Sequence, residues 1–200
     1  MTLLLLEASP GVSRFDHRTN LADEDAPSNS DDPKTSRISE AVADGCTFLV
    51  LEGRITWEYS QGFFDVVIGS IERGLGIIVD LSKCVHMDSA VLGTLHELVE
   101  RAEKSASGSN IRVQDASQSL IRTFAELGMD SVIRCVQMRS ITVPETQSAV
   151  EVSPHDLRRQ QMRLLKAHEA LASLSDTNRD QFASVVSDLR EHLTLSLIHI

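Results

Sequence analysis

Apolar and polar positions divide this chain into segments of different texture. From residue 76 to about 140, short apolar runs alternate with stretches of helical spacing, the pattern of strands joined by crossover helices in an α/β layer. "LGIIVDLS" is a continuous apolar run suited to a strand buried on both faces. A short loop through Met87 and Asp88-Ser89 follows it, and Leu92, Leu95, Leu98, Val99 and Ala102 then make a helical stripe that ends near Gly108. "NIRVQDA" predicts a strand, "SQSLIRTFAELGM" a helix with Leu120, Ile121, Phe124 and Leu127 on one face, and "SVIRCVQ" a last strand. Upstream, "SRISEAVADG" and "CTFLVLEGRI" read as two strands around an Asp44-Gly45 hairpin signal. "EYSQGFFDVVIGSIERG" places Phe63, Val66, Val67, Ser70 and Ile71 on one helical face and closes at Gly74. The compact domain predicted by these elements covers residues 36–140.

The flanks differ. Residues 1–35 carry seven acids against three bases and three prolines, a composition that cannot repay the entropy of ordering and is read as a disordered acidic arm. Residues 141–154 read as a linker. Residues 155–193 hold six acids and six bases with neither Gly nor Pro. Leu157, Leu164 and Leu171 recur there at seven-residue spacing, and Phe182, Val185, Val186, Leu189 and Leu193 follow helical spacing. N-cap chemistry at Ser175 or Asp176 separates the two patterns, which predicts an antiparallel helical hairpin. Its apolar stripe requires a partner, and a homodimer through residues 155–193 is the expectation. The last residues, 194–200, include "LSLIHI", which the transposase end sequence of some sequencing libraries encodes in one frame; they are set apart as a candidate non-native tail.

A formal charge of −10 argues against a general affinity for nucleic acid or anionic lipid, both of which call for basic patches. No window approaches the run of about eighteen apolar residues that a membrane span needs, and the leucines at 3–6 lack the basic flank of a secretory signal. Cys46, Cys84 and Cys135 are odd in number and widely spaced, as expected of reduced thiols in a cytoplasmic protein. His96-Glu97 and His168-Glu169 lack the second His of a zinc-protease helix, and there is no phosphate loop or dinucleotide fingerprint. A Ser-His-Asp triad can be assembled on paper, with His86 three residues before Ser89, but the spacing specifies none. The chain is therefore read as a non-enzyme with no cofactor and no metal, and His86 as a loop residue at the solvent edge.

Asp88-Ser89 is the strongest local signal. Ser or Asp ahead of an apolar helical run is ordinarily an N-cap. The wider register, "VDLSKCVHMDSAVLGTL" with "LEGRIT" before it and "SLIRTFAELGMDSVI" after it, resembles the STAS domain of bacterial anti-sigma factor antagonists. That resemblance implies a mixed β-sheet packed with α-helices and a phosphorylatable serine, which maps to Ser89. It implies a partner-binding surface around Asp88, Ser89, Ala90 and Val91 with Arg54 and Thr56, and as partners an anti-sigma factor/serine kinase and a phosphatase. Two positions depart from the family pattern. Val91 stands in place of Gly, where its branches would face the surface a kinase approaches, and Arg54 in "GRIT" replaces an acidic turn. The alternative within the resemblance is an unphosphorylated interaction subunit of a signalling assembly or lipid-transport complex, with Ser89 merely capping.

Overall fold

The computed structural model describes residues 36–106, 108–137, 139–145, 147–152 and 156–198, with side chains up to Thr194. The acidic arm and the end of the tail lie outside these residues. Two strands, β1 (Arg37–Ala43) and β2 (Cys46–Ile55), form an antiparallel hairpin. Its turn residues Asp44 and Gly45 both have positive φ, 50° and 74°, the geometry that matches strand twist in a two-residue connection. Helix α1 (Trp57–Glu72) leads back to β3 (Gly76–Met87), α2 (Ser89–Lys104) to β4 (Ile111–Gln114), and α3 (Gln118–Glu126) with α4 (Asp130–Cys135) to β5 (Val136–Gln137). A two-residue strand, β6 (Ser148–Ala149), closes the other edge, and α5 (Leu157–Ala172) and α6 (Asp176–Ile198) follow.

The six strands form one mixed sheet in the order β5-β4-β3-β2-β1-β6, with β2 to β5 parallel and both β1 pairings antiparallel. The α/β mixed sheet packed with helices is thus as the sequence predicts. Three local expectations need correction. "SKCVHM" is strand, not loop: β3 runs on to Met87, and β2 stays paired to it through two register shifts, so His86 lies within the ladder opposite Arg54. "SVIRC" is helix, since Asp130 supplies an acid to a first turn and Ser131 is drawn under α2 by its contact with His96; only two residues of the predicted strand remain. Lastly, the predicted linker contains the edge strand β6.

The C-terminal helices are not a separate body. Leu165, Leu171, Phe182, Val186 and Leu193 belong to the same buried cluster as Leu49, Val79 and Leu95 of the sheet and α2. Ser175 caps α6 by accepting from Asn178 N at 3.0 Å, and the Asn178 amide donates to Leu127 O at 2.9 Å and Leu171 O at 3.1 Å. Part of the apolar stripe from which dimerisation is expected therefore finds its partner within the chain. Leu171 is fully buried, whereas Leu157 is 68% exposed.

Candidate functional site

The ends of β2 and β3 run side by side, with Ile55 opposite Met87 and Asp88 N donating to Ile55 O at 3.1 Å. Each strand then starts a helix, so two helix N-termini converge on one point. Asp88 serves both. One carboxylate oxygen accepts from Val91 N at 3.0 Å, and the other accepts from Trp57 N at 2.7 Å. Thr56, the N-cap of α1, makes no side-chain cap, and Asp88 supplies the missing acceptor from the neighbouring strand. Two positive helix ends facing one carboxylate stabilise it.

Ser89 is the first residue of α2 and is half-buried. Its hydroxyl lies 2.9 Å from His168 Nε2 on α5. The other ring nitrogen, Nδ1, is 2.8 Å from Leu164 O. A carbonyl only accepts, so Nδ1 carries the proton and Nε2 is the acceptor in the neutral ring. The Ser89 hydroxyl is therefore the donor, and its proton is committed to His168. His168 is itself buried and packs 5.7 Å from the Phe182 ring.

Further along, α5 crosses α2 at backbone contact. A Cβ on Gly93 would stand 2.1 Å from Ala167 O, so only glycine fits. One turn beyond, the buried Arg163 pairs with Glu97 and stacks 4.2 Å from the Phe64 ring of α1. Ser89, Gly93 and Glu97 thus meet His168, Ala167 and Arg163 at successive turns of α2. None of the three α5 residues announces itself in the sequence. His168 is legible only as half of an absent zinc pair, and its relation to Ser89 arises from packing 79 residues apart.

The remaining expected residues divide. Arg54 is exposed opposite His86, and Thr56 is half-buried as the N-cap of α1, one residue before the Trp57 amide that Asp88 accepts from. Ala90 is 2% exposed and Val91 0%. The expectation that the Val91 branches face an approaching partner is therefore corrected: Val91 enters the core in the first turn of α2. His86, the paper candidate for a triad, sits in the β3 ladder, and His168 replaces it as the histidine at Ser89. His168 has a carbonyl behind it where a triad would place a carboxylate. Among the described residues no cluster of three or more His, Cys, Asp or Glu could hold a metal ion, and no helix is long and apolar enough to cross a membrane.

The motif that gives the register its "DLS" has its own function. The buried Asp80 accepts from Ser82 N at 2.8 Å, Ser82 Oγ at 2.5 Å and Gln114 Nε2 at 2.8 Å. Gln114 also exchanges bonds with both backbone groups of Ile141. This network pins β3 to β4 and ties down the chain that returns toward β6.

A family model described as "Mlab, STAS domain" matches residues 38–137. Among solved structures, the Bacillus cell fate determinant SpoIIAA in the phosphorylated form is similar, with a TM-score of 0.42 and 16% identity over 51% of this chain and 89% of that one. The protein TM1081, solved by NMR, is similar with a TM-score of 0.41 and 18% identity over 49% of this chain and 76% of that one. None of the curated proteins matches.

Proposed function

The chain belongs to the STAS domain family, and we propose that it acts as a regulator of the anti-sigma factor antagonist type. In this reading the unmodified protein binds an anti-sigma factor that is also a serine kinase, and that kinase places a phosphate on Ser89. A phosphatase resets the system in the cytoplasm. The observation that carries this reading is the Ser89 to His168 hydrogen bond. The phosphoryl group takes the place of the hydroxyl proton, so His168 Nε2 loses its donor. About −1.5 to −2 charges arrive at the same atom, next to Asp88. Modification here alters how a second pair of helices sits on the domain, whereas at a plain N-cap it would alter only one turn. Asp88 orients the site, and the catalytic base belongs to the kinase. Phosphosite mapping on protein isolated from its host tests the proposal: phosphate on Ser89, lost in Ser89→Ala, supports it. An unmodified Ser89 across growth conditions refutes it.

A second reading, an unphosphorylated subunit of a signalling assembly or lipid-transport complex, is favoured by Ser89 being only partly exposed. It predicts that Ser89→Ala and Ser89→Asp act on partner binding only through stability.

A further inference from the structure

The face of α1 and α2 beneath α5 has a definite chemical pattern. Ser89 offers a hydroxyl donor, Gly93 admits a helix at backbone contact, and Glu97 with the Phe64 ring takes a guanidinium. These positions are four residues apart on α2, so they address three successive turns of an antiparallel helix. We propose that this face is a helix-receiving docking surface, occupied in cis by α5, and that the protein partner of the Ser89 site docks there with a helix of its own. The proposal rests on the regulatory reading above and names the surface and the chemistry of the partner. The partner helix carries an arginine, a residue no larger than alanine four positions later, and a hydrogen-bond acceptor next to it.

Two observations bear on whether α5 can be exchanged. Leu165 and Leu171 anchor the helix in the core, but the contacts with α2 that set its register are polar and charged, and they include an additional ion pair at the rim, Arg159 to Asp65 at 2.8 Å. Such contacts give selectivity more than affinity. The resident is also an imperfect ligand: the buried Arg163 keeps Nε without a hydrogen-bond partner. A buried donor left unmade is costly, and a partner helix whose own arginine has every donor paired has an advantage over α5. The advantage of α5 is its covalent attachment, which raises its effective concentration.

The test uses the full chain and, as probe, a fluorescein-labelled synthetic peptide of residues 156–174. Arg163→Glu in the chain places an acid against Glu97 and is expected to favour release of α5 without altering any residue of the face. We expect this chain to bind the peptide at least tenfold more tightly than the wild-type chain, and a peptide with the same Arg163→Glu change to bind neither. Equal affinities for the two chains, or no binding by a variant that keeps its sheet circular dichroism and cooperative melting, overturn the proposal. Should the variant not fold, hydrogen exchange on the wild-type chain decides. Exchange of α5 and α6 amides through an opening that leaves β2 and β3 protected supports it, and exchange only with the sheet overturns it. Neither readout involves a kinase, so it can fail while phosphorylation of Ser89 stands, and the reverse.

Discussion

Gly93→Ala sets two effects of known size against each other. In an isolated helix the change favours α2 by about 1 kcal/mol, since glycine is a poor helix residue. In this chain the new methyl would stand 2.1 Å from Ala167 O and 2.6 Å from Ala167 C, where ordinary contact begins at 3.4 Å. The obstructing atoms are backbone, so no rotamer change relieves the clash, and α5 as a whole must retreat. Overpacking of this kind costs about 1–3 kcal/mol. The retreat also lengthens the Ser89 to His168 bond on one side and the Glu97 to Arg163 pair on the other; a typical hydrogen bond is worth about 1 kcal/mol and one to a charged group about 1.5–3. The losses exceed the propensity gain, and the net destabilisation should be about 2–4 kcal/mol, concentrated on α5 and α6. Urea denaturation gives the total, and amide exchange its location: faster exchange in α5 and α6, with β2 and β3 nearly unchanged. A variant as stable as the wild type or more so, with α5 equally protected, would refute the reasoning.

Four further outcomes follow from single residues. Ser89→Ala should cost about 1–3 kcal/mol, because His168 Nε2 is left buried without its donor; a loss below 0.5 kcal/mol in urea titration, on the order of a typical surface change, would show that the bond is not formed. Asp88→Ala removes the acceptor of both α1 and α2 and should cost more than a single cap, about 2 kcal/mol or above, in the same assay. Burial holds the His96 imidazole below its ordinary value of 6.5, so the folded state keeps it neutral while the unfolded state takes up a proton near that pH. Its contribution to stability is fully present above pH 6.5 and is lost as the pH falls below it toward the depressed folded value; unfolding free energies at about pH 7.5 and pH 5 should differ less in His96→Gln. Burial also pushes the Cys84 thiol up to about 11, despite its contact with His86 O, so iodoacetamide at about pH 8 should alkylate Cys84 only after unfolding.

Much of the sheet was legible because its signals are local. The Asp44-Gly45 turn, the buried run of β3 and the stripe of Leu92, Leu95 and Leu98 each report one element by composition and period alone. The errors fall where tertiary pairing overrides local chemistry. "SKCVHM" carries a lysine, a cysteine and a histidine that suit a loop, yet β2 holds it in the ladder through two register shifts. "SVIRC" is β-branched but lies beneath α2, where helix geometry brings Ser131 to His96. At the site, Asp88 and Ser89 could be found because cap residues sit next to the helix they start. Their partners could not. Gly93 looks like an ordinary helix defect until Ala167 is placed against it, and Arg163 looks like one solvated charge among six.

Asp88 has another consequence, through the residue whose amide it holds. Trp57 is the only tryptophan in the chain. Its backbone is fixed by the carboxylate next to Ser89, while the residue, 43% exposed, borders a groove of about 320 Å³ formed with Leu157 and Leu164 of α5 and Leu189 of α6. The fluorophore is thus anchored on the static side of the junction and walled by the side that would move. On the docking proposal its emission should shift to the red when α5 lifts and return when a helix takes that place, which would give the unlabelled protein an optical gauge of that exchange.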